Sequence, residues 1–259
     1  SAEKADREGN TPLHKAACSG SGPLVQLLTK QAKVQLDFTN NDGFSPLDIC
    51  VRDQRPAAGD VLVSAGAKLV KDVRKSPPTL LTAASSGLPF LCSYLLKADL
   101  RSVKKQLGEV DDAGRSPLLI AAGRGDAAVV ERLLEHPSCL EQLETAKGGL
   151  TPLHAAAAAG SRDVLAVLLD RSASLQLSDG MGTSALGHAA ASGQVELMHW
   201  LVENGLEPDA RNDSERTALH LAAASGQVSA CEALLQAAKD PQELLQAQDW
   251  EGATAAHMA

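Results

Sequence analysis

The stretch Leu150-Thr151-Pro152-Leu153-His154-Ala155-Ala156-Ala157-Ala158-Ala159-Gly160 decides the fold, because near-copies of it recur along the chain. One copy is Thr11-Pro12-Leu13-His14, which Ala16, Ala17 and Gly20 follow. Another is Thr217-Ala218-Leu219-His220, with Ala222, Ala223 and Gly226. Self-similarity at a fixed period of roughly 20–50 residues is typical of solenoid repeat proteins. The sequence therefore predicts a repeat protein.

Alignment of the chain on its Ala-Ala pairs gives seven full units and a truncated eighth. The position equivalent to Thr151 is occupied in turn by Thr11, Ser45, Pro78, Ser116, Thr151, Ser184, Thr217 and Thr254. The steps between these positions are 34, 33, 38, 35, 33, 33 and 37 residues. The second and third copies match weakly on their own, and their register in the series supports them.

Each part of the unit has a local physical reason. Thr151 is predicted to cap a helix by accepting a hydrogen bond from an amide of the first turn, and Pro152 follows where no amide donor is missed. Gly160 suits the left-handed residue that ends this helix. The apolar spacing of residues 162–169 predicts a second helix, and the polar stretch 178–182 predicts a hairpin turn. One such unit cannot bury its apolar face alone, so neighbouring units must stack.

A period near 33 residues that begins with T-P-L-H-x-A-A resembles the ankyrin repeat family. The resemblance covers nearly the whole chain and implies an all-α, curved solenoid of antiparallel helix pairs with β-hairpin fingers and a concave binding face. It predicts a single domain over 1–259 with an insertion at about 97–108. The predicted repeats are about 6–39, 40–72, 73–110, 111–145, 146–178, 179–211, 212–248 and a partial 249–259.

Composition agrees with stacked helices and limits the alternatives. Only six of the 259 residues are aromatic, whereas the cores of globular proteins usually contain many large aromatic side chains. The sequence lacks an apolar run of about 18 residues and a secretory leader, which predicts no membrane insertion and an intracellular, cytoplasmic protein, with the nucleus as an alternative. Five scattered cysteines without a C-x-x-C pair argue against disulfides or zinc. Because the eighth unit lacks its second helix, we expect the chain to belong to a longer protein.

Charge is distributed unevenly along the sequence. Residues 1–105 hold 15 Lys+Arg and 10 Asp+Glu, a net charge of +5, whereas residues 106–259 hold 9 and 22, a net charge of −13. The acidic part is predicted to attract a basic segment of a partner, and the alternative is a solvated face that only confers solubility. Basic residues of the first part could instead meet an acidic partner: Lys68, Lys71, Arg74, Lys75, Lys97, Arg101, Lys104 and Lys105.

Two segments depart from the regular repeat. In the insertion at 97–108, Leu100, Val103 and Leu107 are spaced as one apolar helical stripe, which is predicted to pack on the stack, with partner binding as the alternative. Pro56 is predicted to open the second helix of the second repeat.

Catalysis and metal binding are not expected. His14, His154, His220 and His257 share one repeat position, and packed helices lie about 8–10 Å apart, so single histidines in successive repeats cannot share a zinc ion with bonds of about 2 Å. The family resemblance implies that each ties its helix to the adjacent turn. Ser184 is explained as a helix cap, Asp112 and its neighbour Asp111 as turn residues, and neither a P-loop nor a cofactor motif is present.

Surface recognition is the remaining interpretation. The resemblance implies binding through finger tips and first helices, and aromatic, Met and Arg side chains are the usual interface anchors. The predicted partner-binding residues are Phe44, Asp112, Arg115, Leu150, Met181, Asp213, Arg216 and Trp250. Further finger candidates are Arg7, Glu8, Asn41, Asp42, Arg74, Lys75, Lys147 and Glu251. Trp200, on a second helix, is expected to pack between repeats.

The predicted function is that of a protein-binding scaffold or adaptor whose partner is another protein or peptide. The alternatives are a substrate-recruiting or regulatory arm of a larger enzyme, such as a kinase or ubiquitin ligase, and the cytoplasmic domain of a membrane protein. Nucleic acid is the least favoured partner, because a net charge of −8 opposes contact with phosphate.

Overall fold

The computed structural model describes residues 4–31, 34–70, 78–143 and 149–259, and in these ranges the chain is helical. Its contacts divide it into two compact units, Ser1–Glu109 (unit 1) and Val110–Ala259 (unit 2), each with its own core. Isolated antiparallel bridges join Ser178 to Ser184 and Gln248 to Thr254, at the bases of two hairpin turns. The single domain over 1–259 and the repeat bounds stay predictions.

In its described residues, unit 1 contains three helix pairs and one additional helix. The pairs are α1 (Pro12–Ser19) with α2 (Gly22–Thr29), α3 (Pro46–Arg52) with α4 (Pro56–Ser64), and α5 (Leu80–Ser86) with α6 (Pro89–Leu95). The additional helix is α7 (Leu100–Gly108), which packs on α5. First helices stack on first helices and second on second, since α1 packs on α3, α2 on α4 and α4 on α6.

The described residues of unit 2 form four helix pairs of the same kind. A further helix, at the position of the first helix of a repeat, follows them. The pairs are α8 (Pro117–Arg124) with α9 (Ala127–Leu134), α11 (Pro152–Ala159) with α12 (Arg162–Asp170), α13 (Ala185–Ala191) with α14 (Val195–Glu203), and α15 (Ala218–Ala224) with α16 (Val228–Ala237). The short helices α10 (Pro137–Leu140) and α17 (Pro241–Gln246) follow α9 and α16, and α18 (Ala255–Met258) begins the partial repeat.

The helix boundaries follow the predicted caps with one correction. Pro152 and Pro56 each lie in the first turn of a helix, and Gly160 adopts the left-handed conformation at the end of α11, as predicted. Ser184 also caps as predicted, because its hydroxyl accepts from the amide of Gly187. The hydroxyl of Thr151 caps no amide, because it is hydrogen-bonded to the ring of His154 at 2.8 Å.

Small residues allow the first helices to stack closely. The Ala-Ala pairs are buried in the repeats that carry them, and leucines of both helices fill the space around them. These pairs are Ala16 and Ala17, Ala83 and Ala84, Ala121 and Ala122, Ala156 and Ala157, Ala189 and Ala190, and Ala222 and Ala223. The core is therefore continuous within each unit and rests on aliphatic packing.

Two expectations for the irregular segments need correction. The cap of the first helix in the third repeat lies one residue later than predicted, because Thr79 and not Pro78 caps α5, and its hydroxyl accepts from the amide of Thr82. In α7, Val103 and Leu107 are buried as predicted, whereas Leu100 is 61% exposed and lies outside the stripe. Within the described part of the chain, none of the helices is long and apolar enough to cross a membrane.

Candidate protein-binding surface

In six of the hairpin fingers that the structure describes, one Asp or Asn side chain closes the turn. The Asp179 carboxylate accepts hydrogen bonds from the amides of Met181 and Thr183 at 2.9 and 2.8 Å. Equivalent pairs of bonds are made by Asp6, Asn40, Asp111, Asn212 and Asp249. These turns also need one residue at positive φ, which is glycine in most fingers, as at Gly182, and Glu215 (φ 57°) in one. The finger shape is therefore set by local chemistry.

In unit 2, backbone hydrogen bonds join successive fingers into a ladder. The amide of Gly180 donates to the carbonyl of Gly149, and the amide of Asp213 donates to the carbonyl of Met181, each at 3.0 Å. The amide of Trp250 donates to the carbonyl of Ser214 at 3.1 Å. We call residues 149–150, 179–183, 212–216 and 249–253 the finger row. Its tips are fixed against one another by main-chain bonds, and some of its side chains, such as Met181 and Trp250, are exposed.

Buried histidines fasten fingers to the first helices, as the family resemblance implied. In His220, Nδ1 accepts from the amide of Thr217 at 3.2 Å, so Nε2 carries the proton and donates to the carbonyl of Ala253 in the next finger, also at 3.2 Å. His154 makes the same link to the carbonyl of Leu177, and His14 links to the carbonyl of Phe44.

The sixth repeat uses a different brace, which the sequence did not predict. Gly187 occupies the histidine position, and the next residue, His188, bonds through Nε2 to Oδ2 of Asp179 at 2.8 Å. Burial by itself raises the pKa of Asp179, but hydrogen bonds from the Thr183 amide and from His188 hold that pKa below its ordinary value. Finger and helix are thus joined within one repeat by a side-chain pair.

The buried histidines predict acid sensitivity. Burial lowers the pKa of both His14 and His154. The unfolded chain therefore takes up these protons first, so this stability is fully present above pH 6.5, the ordinary histidine pKa, and is lost as pH falls from there toward the folded pKa values. As pH falls through this window, we expect each histidine to lower the free energy of unfolding by at most about 1.4 kcal/mol per pH unit.

Urea unfolding at pH 7.5, 6.5 and 5.5 measures this loss, and the His154→Gln variant should show a shallower pH dependence than the natural chain. The exposed His199 provides the control, since His199→Gln should leave the slope unchanged. Equal slopes in all three proteins would contradict the assignment.

The predicted binding residues lie on fingers, and they differ in how exposed their side chains are. Met181 and Trp250 are 65% and 67% exposed, and both belong to the finger row. Asp213, Asp112 and Arg115 are also exposed, whereas Phe44, Leu150 and Arg216 are half-buried. Lys71, Arg74, Lys75 and Lys147 lie outside the described residues.

Three of the predicted residues already have partners inside the protein, which the sequence did not reveal. The Arg115 guanidinium pairs with Asp111 at 2.7 Å, and that of Arg216 pairs with Asp249 at 3.1 Å. The ring of Phe44 lies under the guanidinium of Arg52, 5.0 Å from its centroid. Met181, Trp250 and Asp213 are therefore the candidates that are exposed without an ion pair or cation–π contact among the described residues.

The tryptophan on the second helix and two of the buried cysteines have structural roles. The ring of Trp200 lies under the guanidinium of Arg162 from the preceding repeat, 5.3 Å away, which agrees with packing between repeats. Burial raises the pKa of the Cys50 and Cys139 thiols to about 12, so neither is a reactive thiolate. Among the described residues, no group of three or more His, Cys, Asp or Glu side chains could hold a metal ion.

Stacked helix pairs with a hydrogen-bonded finger row define a helical repeat protein of the solenoid class. The chain belongs to the ankyrin repeat family: a family model for ankyrin repeats (3 copies) matches residues 1–72 and 80–179, and a model for ankyrin repeats (many copies) matches residues 186–235.

The chain is similar to segments of several larger proteins. It is 32% identical over 127 residues to the nuclear factor NF-kappa-B p105 subunit of Gallus gallus, covering 46% of this chain and 12% of the relative. It is 28% identical over 181 residues to the B-cell lymphoma 3 protein of Homo sapiens, covering 69% of this chain and 32% of the relative. It is also 33% identical over 193 residues to the transient receptor potential cation channel subfamily A member 1 of Homo sapiens, covering 71% of this chain and 16% of the relative. The aligned region thus spans at most about a third of these relatives.

Among solved structures, the ankyrin repeat domain of Bcl-3 aligns with 98% of this chain and 95% of its own, at 24% sequence identity and a TM-score of 0.47.

Proposed function

We propose that this chain is a protein-binding module whose finger row captures a partner protein or peptide. The observation that carries the proposal is the exposure of Met181 and Trp250 on fingers whose backbones are hydrogen-bonded to one another. Large apolar side chains dominate binding energy when they are held in place, because little conformational entropy is then lost on association.

Charge indicates which kind of partner the finger row suits. Asp213, Glu215 and Glu251 are exposed on the same fingers, and residues 106–259 carry a net charge of −13. A basic segment would be steered to such a surface, and its association rate should fall as salt screens the field. We therefore infer a partner with basic residues next to an apolar anchor.

The experiment that tests this function is affinity capture from cell lysate with the natural chain and a Met181→Ser/Trp250→Ser variant. We expect the variant to lose specific partners, with a loss of affinity for a purified partner of about 30-fold or more per anchor, because a hot-spot side chain contributes about 2 kcal/mol or more. Capture identifies the partner, and titration calorimetry with that partner measures the loss.

The matched control is Val228→Ser, because Val228 is 69% exposed on α16, outside the finger row. This control should keep the partners that the finger variant loses. Equal capture by all three proteins would contradict the finger row as the binding surface. Arg115→Ala and Arg216→Ala are poor tests, because each also breaks an internal ion pair.

The function is proposed to operate inside the cell and without catalysis by this chain. The five cysteines are scattered along the sequence without a C-x-x-C pair, which favours a reducing compartment. Because the chain aligns with only 12–32% of its relatives, one of them a cation channel, we also propose that it can serve as a recruiting or regulatory arm of a longer enzyme or membrane protein. In that case the finger variant, placed in the longer protein, should change recruitment or regulation and leave the basal activity intact.

A further inference from the structure

A cavity of about 430 Å³ lies in unit 2, where its lining residues Arg211 and Thr217 flank the finger 212–216. One wall is formed by the end of α14 and the loop that follows it, and the other by the end of α16 together with α17. None of the lining residues belongs to the finger row. Sites for small ligands or single side chains commonly enclose about 300–1,000 Å³. The cavity is therefore large enough to hold a long side chain of a partner.

The floor of the cavity is apolar. Leu206 and Leu244 are almost fully buried, Pro208 is buried, and the side chains of Val202 and Ala237 complete the lining. Leu244 belongs to α17, whose residues lengthen this repeat beyond the usual 33. One wall of the cavity is thus built from residues that a regular repeat would lack.

The rim of the cavity is charged and predominantly acidic. It carries four carboxylates, Glu207, Asp209, Asp240 and Glu243, and two cations, Arg211 and Lys239. Both cations are engaged within the protein. Lys239 pairs with Glu207 at 3.2 Å, and Arg211 donates to Glu215 and to the carbonyl of Gln248, each at 3.0 Å.

Two of the carboxylates lack a compensating partner. Asp240 is used as the cap of α17, since its Oδ1 accepts from the amides of Gln242 and Glu243. By contrast, the side-chain carboxylates of Asp209 and Glu243 make neither an ion pair nor a hydrogen bond within the part of the chain that the structure describes. The rim therefore presents two negative charges that an incoming cation can neutralise.

We propose that this cavity binds an arginine side chain from a partner peptide, with apolar residues beside the arginine. The aliphatic stem of arginine can cover the apolar floor while its guanidinium remains at the charged rim. Its five N–H donors suit a rim with more than one carboxylate, and charge-assisted bonds of this kind are the strong ones. A purely apolar ligand would instead desolvate the carboxylates at a cost, and an anion would be repelled. The cavity is a second docking site, lined by other residues than the anchors Met181 and Trp250.

The test uses the ¹⁵N-labelled 259-residue chain and two peptide probes, acetyl-Ala-Leu-Arg-Leu-Ala-amide and the same peptide with neutral citrulline in place of arginine. We expect the arginine peptide to shift the backbone resonances of Leu206, Lys239 and Leu244 with a Kd on the order of 1 mM. The citrulline peptide should bind at least about fivefold more weakly, because it keeps the shape and loses the charge.

Two charge-matched variants identify the site. Asp209→Asn/Glu243→Gln should weaken binding of the arginine peptide about fivefold or more, while spectra outside the cavity stay unchanged. Asp213→Asn/Glu251→Gln removes the same charge from the finger row and should leave the affinity unchanged. Equal binding of the two peptides, equal weakening by the two variants, or an absence of shifts at the cavity would each overturn the proposal. Failure of the finger variant in partner capture would not affect this result.

Discussion

Phe90→Ala is expected to lower the free energy of unfolding of unit 1 by about 3–5 kcal/mol. Phe90 is fully buried in α6, is the largest of the fully buried side chains, and α6 packs on α4. Removal of the ring leaves a cavity in a core whose other large side chains are mostly leucine, and these neighbouring side chains cannot fill it. Urea unfolding followed by circular dichroism measures the loss, and hydrogen exchange in α4 and α6 shows where it occurs.

Gly59 provides a matched test of the same contact from the opposite side. A Cβ added to Gly59 would lie 2.6–2.7 Å from three ring carbons of Phe90. Helix propensity alone favours alanine over glycine by about 0.5–1 kcal/mol, but overpacking costs about 1–3 kcal/mol. Because the contact is far inside van der Waals distance, we expect Gly59→Ala to be destabilising in the natural chain.

In a Phe90→Leu background, the same Gly59→Ala substitution should cost less or become neutral, since the ring that it meets is gone. The coupling energy between the two substitutions should be about 0.5–3 kcal/mol, in the range that contacting residues show. Additive effects would contradict the packing of α4 on α6 through these two residues.

The repeat fold could be predicted because its signals are local. The signals are Pro and Gly at helix ends and Ala-Ala pairs at fixed spacing, and they act within one repeat. The sequence therefore predicts the helix pairs of both unit 1 and unit 2. Helices α10 and α17 were not predicted, although Pro137 and the pair Asp240-Pro241 are recognisable helix starts. These two helices lie in the loops between successive repeats, where the repeat pattern carries no helix signal.

The candidate site was only partly predictable, because the partner of a finger residue lies one repeat away. Arg216 meets Asp249, 33 positions further along, and the brace from His188 to Asp179 arises where glycine has replaced the usual histidine. Sequence indicates which residues sit on fingers, but contacts within the stack decide which of them remain available. The contact of Phe90 with Gly59 had no sequence signal, since its close approach depends on the packing of two helices.

His220→Ala is expected to destabilise the end of unit 2 by about 2–4 kcal/mol, because the imidazole is fully buried and its loss leaves polar groups unsatisfied as well as a cavity. The amide of Thr217 loses its acceptor, and the carbonyl of Ala253 loses its donor. Urea unfolding gives the total, and hydrogen exchange of the amides in 249–253 should show faster opening of that finger.

His257 is the matched control for this prediction, because it occupies the same repeat position in the partial repeat. It bonds to Thr254 in the same way, but it is exposed. His257→Ala should therefore cost less than about 1 kcal/mol. Equal losses for His220→Ala and His257→Ala, or a finger that stays protected without His220, would show that the brace does not hold the finger.

The brace at His220 also connects stability to binding. The finger that it holds carries Trp250, one of the two anchors of the proposed finger row, although His220 is buried and touches no external partner. When the brace is removed, Trp250 must be ordered again on binding, and this ordering costs about 0.5–1.5 kcal/mol for a side chain of this kind. We therefore expect His220→Ala to weaken the affinity for the finger-row partner by about 2–13-fold. Unchanged affinity for the finger-row partner would mean that Trp250 does not need the brace to bind.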